Sequence, residues 1–334
     1  MREKNEVLCL GIESSAHTFG VSIASDKRGI LCDVNAVYKP PPGKGIHPRE
    51  ASQHHSHIAP FVVKRAFEQA GVSPAELDAV AYCKGPGLGP CLRVGATVAR
   101  TLASALNKPL TPVHHAIGHI EIAAYATGAI DPLVVLVSGG HTSIAAFAEG
   151  RWRIFGETEA ITLGNLIDMF AREIGLPSPA GPAIEELAKK GKKLVDLPYL
   201  QKGNDVSYSG LLTAALAKYR EGVSVEDLAY SLQEVAFAEL AEAAERALAL
   251  LEKRELLLTG GVAANKRLQE MLKVVCEEHD ARFYVVPMKY AGDCGAQIAW
   301  TGVLAYKSGV VVSVEESFVS PRWSFDEVDV PWRS

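Results

Sequence analysis

The sequence predicts an α/β protein made of two lobes that share one order of strands and helices. The chain has 334 residues, 48% of them hydrophobic, and this length favours two lobes over a single large core. Short apolar segments with strand character alternate with longer segments of helical periodicity. This succession runs through the first 130 residues and starts again near residue 131.

The first lobe is predicted to open with an antiparallel meander, because its first three apolar segments follow one another closely. A helix follows, which Pro60 could kink or divide. The predicted elements are strands at 7–12, 20–24 and 30–38, a helix at 51–70, a strand at 77–83, a glycine-rich loop at 84–90, a helix at 92–106, a strand at 110–114 and a helix from residue 115.

The second lobe is predicted to repeat this order with an insertion. Its elements are strands at 133–137, 144–148 and 152–155, helices at 164–174 and 182–190, a polar stretch at 191–205, a long helix at 225–253, a strand at 255–258, a helix at 265–278, a strand at 282–286 and a helix at 293–307. The predicted domains are 1–130, 131–325 with an insertion around 178–222, and a tail at 326–334.

Matching turns support the duplication. A strand leads through small residues to His17-Thr18 in the first half and to His141-Thr142 in the second. Gly85-Pro86-Gly87 and Gly260-Gly261 both follow later strands. Two facing lobes of this kind form the actin-like, or ASKHA, architecture of the ribonuclease H-like class, with a central cleft. This comparison indicates the fold alone.

The glycine turns predict a nucleotide in that cleft. Glycine at a strand end lets phosphate approach backbone amides, and the helix after Gly261 presents its amino end to the same place. A single Gly-Gly pair more often forms only a tight turn, but the repetition favours nucleotide binding. The sequence contains neither a Walker P-loop nor a Rossmann glycine motif.

His115 and His119 are spaced to share one face of a helix and to bind one metal ion. The spacing alone is equally compatible with two surface histidines. Ala116 stands where a zinc protease of the H-E-x-x-H type has its glutamate, so a metalloprotease is disfavoured. Asp293, after a glycine, is either a third ligand or a helix N-cap.

The composition indicates the cellular environment and the kinds of partner that the protein can have. The six cysteines form no C-x-x-C pair and are typical of reduced thiols. We find no secretory leader and no apolar run long enough for a membrane span, so a cytoplasmic protein without membrane contact is expected. The net charge of -5 argues against a free-standing nucleic-acid binder but allows a nucleic acid delivered partly by other subunits.

Taken together, the motifs resemble those of the universal threonylcarbamoyl transferase family, from about residue 7 to residue 333. The motifs are Gly11-Ile12-Glu13-Ser14-Ser15, His47-Pro48-Arg49-Glu50, Gly85-Pro86-Gly87-Leu88, His115-x-x-x-His119, Ser138-Gly139-Gly140-His141-Thr142, Gly164-Asn165-x-x-Asp168, Ser207-Tyr208-Ser209-Gly210, Gly260-Gly261-Val262-Ala263-Ala264-Asn265 and Gly292-Asp293-x-Gly295-Ala296. The ending at 326–330 resembles the archaeal and eukaryotic branch, the catalytic subunit of the KEOPS complex. The family's older label of O-sialoglycoprotein endopeptidase fits poorly with Ala116.

The resemblance implies transfer of a threonylcarbamoyl group from threonylcarbamoyl-AMP to N6 of the adenosine 3′ of the anticodon, in tRNAs that read ANN codons. It implies as partners tRNA, a small RIO-like serine/threonine protein kinase and the small dimerising and regulatory KEOPS subunits. The alternatives are an actin-fold ATPase or sugar kinase and a non-catalytic nucleotide-binding scaffold. The histidine pair with Asp293 favours the transferase, because kinases of this fold hold Mg²⁺ through carboxylates and water.

The resemblance also assigns residues. His115, His119 and Asp293 match the catalytic metal ligands, and Ser138, Gly139 and Gly140 match the turn at the phosphate and the metal. The positions that match the nucleoside and nucleotide contacts are Asp168, Gly181, Glu185 and Asn265. The predicted ligands are one divalent ion, Fe(2+) by resemblance with Zn(2+) or Mg(2+) as alternatives, and threonylcarbamoyl-AMP or ATP.

Leu136 and Val137 precede this turn and are included in the predicted substrate site. Leu136 replaces a tyrosine that is a further metal ligand in close archaeal relatives. A side chain that cannot ligate leaves three alternatives: a water in that position, weaker metal binding or a different ion. Cys294 replaces the family's usual asparagine and is either a ligand or a small buried residue.

Overall fold

A computed structural model of the chain describes residues 5–41, 45–158, 160–177 and 179–333. The first lobe contains β1 (Leu8–Glu13), β2 (Thr18–Ser25), β3 (Gly29–Val37), α1 (Pro48–Ala70), β4 (Ala79–Gly85), α2 (Gly89–Leu106), β5 (Leu110–His114) and α3 (His115–Thr127). The strands form one sheet of order β3-β2-β1-β4-β5. As predicted, β1, β2 and β3 pair antiparallel. The strands β1, β4 and β5 pair parallel.

The second lobe contains a sheet of the same topology. Its elements are β6 (Leu133–Val137), β7 (Thr142–Ala148), β8 (Arg151–Glu157), α4 (Leu163–Glu173), α5 (Gly181–Ala188), β9 (Gln201–Lys202), β10 (Asp205–Val206), α6 (Ser209–Arg220), α7 (Val225–Leu250), β11 (Glu255–Thr259), α8 (Lys266–Glu278), β12 (Arg282–Val285), α9 (Met288–Ala291) and α10 (Gly295–Lys307). The strand order β8-β7-β6-β11-β12 matches that of the first sheet position by position. The predicted two-lobed α/β duplication is confirmed.

The region predicted as an insertion is more ordered than the sequence indicated. It contains α5, the two-stranded hairpin β9–β10 and α6. The hairpin strands have two residues each, too few for a period to be read from sequence, whereas α6 was missed although Leu211, Leu212 and Ala215 are buried. Pro60 lies within one unbroken α1 and does not divide it.

The helices α3 and α10 lie between the two sheets. Helix α10 packs on β1 and β2, while α3 contacts α10, β6 and β11. Glycines permit this approach: a Cβ placed on Gly11 would lie 2.1 Å from the backbone nitrogen of Ala299, and one on Gly295 would lie 2.5 Å from the backbone of Val21. As a result, the amino ends of α3 and α10 both lie between the two lobes.

The predicted domain limits stay a prediction, since α3, at the end of the first lobe, contacts both sheets. Residues 1–4, 178 and 334, which fall at those limits, lie outside the described residues. The predicted tail is packed: Val330 is fully buried, its amide donates to Gly150 O at 2.9 Å, and Arg333 pairs with Glu121 at 2.7 Å. In the described ranges, none of the helices combines the length and apolarity needed to cross a membrane.

We predict that Gly11→Ala lowers the free energy of unfolding by about 1–3 kcal/mol, because the added methyl would overlap the backbone of α10. Urea or thermal denaturation measures this loss. Gly210→Ala, at an exposed position of α6 with no atom within 4 Å, is the matched control and should keep wild-type stability. Equal stability of the two variants would contradict the close packing of α10 on β1.

Candidate metal and nucleotide site

Three of the predicted site residues meet between the lobes. His119 Nε2 lies 3.2 Å from Asp293 Oδ1, and His115 Nε2 lies 3.5 Å from the same oxygen. All three side chains offer a ligand atom within 4.8 Å of the others. Two imidazole nitrogens and one carboxylate oxygen form a donor set that a single divalent transition-metal ion fits.

Local structure fixes each of these side chains. Helix α3 starts at His115, with His114 as the N-cap whose Nδ1 accepts from Ala116 N. The two ligand candidates therefore lie one turn apart on the same face of α3. Asp293 lies in the connection between α9 and α10, in the sequence Gly292-Asp293-Cys294.

The amino end of α10 is tied to the first sheet, which holds Asp293 in place. The first amides of a helix have no partner within the helix. Here Gly295 N donates to Asn35 Oδ1 and Ala296 N donates to Asp33 Oδ1, both at 3.0 Å. The N-cap of α10 is Cys294 and not Asp293, so the alternative reading of Asp293 as an N-cap is wrong.

Glu13, at the end of β1, orients His115. The Nδ1–H group of His115 donates to Glu13 Oε2 at 3.1 Å, which leaves Nε2 directed at Asp293. Glu13 is fully buried and also accepts from Gln297 Nε2 at 3.2 Å and from Ser15 N at 2.5 Å. The sequence comparison placed Glu13 in a motif but gave it no role.

The electrostatics of this cluster favour a cation. Burial lowers the pKa of His115, but the carboxylates of Glu13 and Asp293 outweigh it and raise that pKa to about 9. Burial raises the pKa of Asp293, but His115 and then His119 hold it well below its usual range. A divalent cation would neutralise the same two carboxylates with both imidazoles uncharged, so the residues present fit a metal ion.

A second group, Glu13, Cys83 and His115, also has its ligand atoms within 4.8 Å of one another. Burial, and then the charge of Glu13, raise the pKa of Cys83 well above its usual value, and a protonated thiol is a poor ligand. Burial also raises the pKa of Cys294 well above its usual value. Cys294 is therefore better described as a small buried residue than as a ligand.

Two further histidines flank the cluster. His17 Nδ1 lies 4.0 Å from Asp293 Oδ2, and the ring centroid of His141 lies 6.0 Å from that of His115. Burial, followed by the charges of His115 and His119, lowers the pKa of His141 to about 3, so its imidazole is neutral. His17 and His141 are the equivalent residues of the two repeats. The repeat was visible in the sequence, but the meeting of these residues at one site was not.

The turn at 138–141 is held by hydrogen bonds from its own backbone to the Ser138 side chain. Ser138 Oγ accepts from Gly140 N at 3.1 Å and from His141 N at 2.9 Å, and Gly139 and Gly140 are exposed. Leu136 and Val137 belong to β6 and are buried, with Leu136 paired to Ser143 and Thr259 in the sheet. Their assignment to the substrate site stays a prediction.

The predicted nucleoside residues gather around two helix starts in the second lobe. Asp168 Oδ1 accepts from Ala180 N at 2.8 Å, next to Gly181, which begins α5. Glu185 Oε1 accepts from Lys266 N at 3.0 Å at the start of α8. No heavy atom lies within 4 Å of a Cβ placed on Gly181, so the space beside it is open.

Asn265 has partners of its own in this region. Its Oδ1 caps α8 by accepting from Arg267 N at 3.0 Å, and its Nδ2 donates to Gln233 Oε1 at 2.5 Å. The structure thus gives Asp168, Glu185 and Asn265 internal hydrogen bonds. Their contact with a nucleotide stays a prediction.

Solved structures place the chain in the two-lobed class that its topology defines. HypF from T. kodakarensis matches with a TM-score of 0.63 at 16% identity, over 90% of this chain and 48% of that one, which shows the shared fold. Comparison of the sequence with known families identifies the family within this fold class. The profile described as tRNA N6-adenosine threonylcarbamoyltransferase matches residues 29–300.

Two relatives carry the same name over almost their whole length. The protein of Caldivirga maquilingensis is 54% identical over 98% of each chain, and that of Thermofilum pendens is 56% identical over 97% of each. The chain belongs to the tRNA N6-adenosine threonylcarbamoyltransferase family, and it is a transferase whose family acts on tRNA.

We predict that the full chain binds one divalent transition-metal ion at His115, His119 and Asp293, and that His119→Ala abolishes binding while Cys83→Ala does not. Only the first residue belongs to the cluster with Asp293. Elemental analysis after anaerobic purification measures the metal content, and circular dichroism checks the fold. The exposed His57→Ala on α1 is the histidine control. Metal loss on Cys83→Ala with retention on His119→Ala would assign the ion to the other cluster.

We also predict that Glu13→Gln weakens metal binding by about 10- to 100-fold, because the amide can hold the His115 ring but lacks the charge that strengthens its donation. Competition with a chromophoric chelator measures the affinity. Glu68→Gln, at an exposed pair on α1, should leave it unchanged. Unaltered affinity in Glu13→Gln would show that Glu13 has no electrostatic role at the site.

Proposed function

We propose that this transferase moves the threonylcarbamoyl group of threonylcarbamoyl-AMP to N6 of the adenosine 3′ of the anticodon, in tRNAs reading ANN codons. The observation that carries the proposal is the cluster of buried His115 and His119 with partly buried Asp293, in a chain of this family. His141, directly after the Ser138–Gly140 turn, lies 6.0 Å from His115 between ring centroids. The glycine turn and the start of α5 at Gly181 offer backbone amides of the kind that bind phosphate, whereas the first amides of α8 already donate to Glu185 and Asn265.

The chemistry is acyl transfer from a mixed anhydride. The bond from adenosine N6 to the carbamoyl carbon forms, the bond from that carbon to the phosphate oxygen breaks, AMP leaves, and N6 releases one proton. Since AMP is already a good leaving group, the protein contributes mainly position and charge stabilisation. A divalent ion held by His115, His119 and Asp293 would act as a Lewis acid toward the carbonyl or phosphate oxygens.

The chain's own residues set up this environment. Glu13 fixes the tautomer of His115, so that Nε2 is the free nitrogen. The neutral His141 can share a hydrogen bond with a bound ligand without adding charge to the site. Burial of Glu13, His115 and His119 strengthens the electrostatic interactions among these side chains.

We propose Fe(2+) as the resident ion, with Zn(2+) as the alternative. Imidazole with carboxylate suits both of these ions, whereas Mg(2+) prefers oxygen ligands throughout. Both candidate clusters in the described residues contain His115. The two imidazoles and one carboxylate of His115, His119 and Asp293 disfavour the alternatives of an ATPase or a sugar kinase, because those enzymes bind Mg(2+) through oxygen. Because Leu136 cannot ligate, the remaining coordination positions are open to water or substrate.

We infer that the protein works with partners in the cytoplasm, as the catalytic subunit of KEOPS. The proposed partners are the RIO-like kinase and the small dimerising and regulatory subunits, together with tRNA. The net charge of -5 supports this, because an acidic chain needs help to retain a polyanion.

We predict that His115→Ala and His119→Ala each lower the transfer rate by more than about 100-fold, beyond the usual effect of losing an outer-shell partner. The assay uses threonylcarbamoyl-AMP and tRNA, with and without the partner subunits, after chelation and metal add-back. His57→Ala should remain active. Full activity of the His115→Ala/His119→Ala double variant, or of chelated protein, would rule out the metal role.

A further inference from the structure

A segment that follows the second lobe returns to the carboxyl ends of the first sheet. Ser320 N donates to Lys84 O at 2.7 Å, and Gly87 N donates to Pro321 O at 3.1 Å. The strands β1, β4 and β5 are parallel neighbours, so Glu13, Lys84 and His114 lie at one edge of the sheet. The segment at 320–323 therefore borders the metal site.

Trp323 is anchored on this edge next to the metal cluster. His114 Nε2 donates to Trp323 O at 3.0 Å, and the His114 and indole centroids are 5.0 Å apart. His114 directly precedes His115, so the indole lies beside the start of α3. Lys84 Nζ lies 4.7 Å from the ring centroid, and the side chain of Trp323 is only partly buried. The flexible ammonium can leave the ring for a phosphate and uncover an aromatic surface.

Two arginines extend the cationic surface around this indole. Arg93 and Arg322 are exposed. A Cβ placed on Gly89 would lie 3.5 Å from both Arg93 Nη1 and Pro321 Cγ, so Arg93 adjoins the segment that carries Arg322.

Lys84, Arg93 and Arg322 share the feature that none of them has an acidic partner in the described part of the chain. Among the described residues, no carboxylate lies within 4 Å of the charged groups of Lys84, Arg93 or Arg322. Seven arginines elsewhere form ion pairs: Arg28, Arg151, Arg153, Arg246, Arg267, Arg282 and Arg333. In a chain of net charge -5, three unpaired cations around one indole mark a local surface suited to a polyanion that carries aromatic rings.

We propose that Lys84, Arg93, Arg322 and Trp323, here called the Trp323 platform, bind the RNA strand next to the acceptor adenosine. A neighbouring base packs on the indole, and its flanking phosphates pair with the cations. Since single-stranded RNA is recognised by stacking together with backbone charge, this combination fits RNA better than an acidic peptide, which offers no base. The inference rests on the proposed tRNA transfer and adds a binding surface to it.

The test is equilibrium binding of a fluorescein-labelled anticodon stem-loop RNA to the metal-loaded full chain, with and without partner subunits, from about 50 to 200 mM salt. For Arg93→Ala/Arg322→Ala we expect the slope of log K against log salt to fall by about 1–2. For Trp323→Leu we expect about tenfold or more weaker binding with an unchanged slope. Trp323→Phe should retain most of the affinity.

Arg220→Ala, an exposed arginine on α6, is the matched control and should bind as wild type. Metal content should also stay at the wild-type level in the platform variants. If Trp323→Leu fails to fold, the two exposed arginines carry the test on their own.

Unchanged affinity and slope in the platform variants would overturn the proposal, as would absence of RNA binding by the wild type. Variants that bind RNA normally but no longer assemble with the partner subunits would identify a protein interface and also overturn it. A wild type that transfers nothing to tRNA would contradict the proposed function instead, so the two failures are distinguishable.

Discussion

The buried imidazole of His115, held between two carboxylates, is the interaction on which the site depends. Glu13 reaches it from β1 and Asp293 from the approach to α10, at Nδ1 and Nε2 respectively. Two carboxylates in a buried place are costly unless a cation lies between them. In the protein without a metal the proton on His115 serves that purpose, which is why the pKa rises to about 9 despite burial. A divalent ion would neutralise the carboxylates of Glu13 and Asp293 with more charge than one proton supplies. The site is therefore preorganised for metal binding.

Bringing these carboxylates together requires the two repeats to pack closely. Asp293 can reach His115 only if α10 lies directly on β1 and β2, and the missing side chains of Gly11 and Gly295 allow this. The same packing gives α10 its amide partners, Asp33 and Asn35, from β3. Core packing and the metal site thus depend on the same contact, and a change that lifts α10 from the sheet should disturb both.

The sequence predicted what depends on local spacing and missed what depends on side-chain direction. The pair His115 and His119 was visible because four residues make one helical turn. Asp293 entered through resemblance, and its exclusion as an N-cap needed the start of α10 at Gly295. Glu13 is 102 residues from His115 in the chain, and only the three-dimensional structure shows that its carboxylate contacts Nδ1 of the imidazole. Helix α6 was missed because its pattern lies within a stretch interpreted as an insertion.

In an acidic chain whose family acts on tRNA, cations without an acidic partner are the groups most available to phosphate. Seven arginines are paired with neighbouring carboxylates, as Arg267 is with Glu234. Exposed pairs of this kind add little to stability, but they remove charge that would attract RNA in unproductive positions. Within the described part of the chain, Lys84 and Arg322 have no carboxylate within 4 Å, and they lie at the sheet edge that also presents Glu13 and His114. Long-range attraction for RNA is weak in a chain of net charge -5, so these cations act mainly at short range, beside Glu13 and His114.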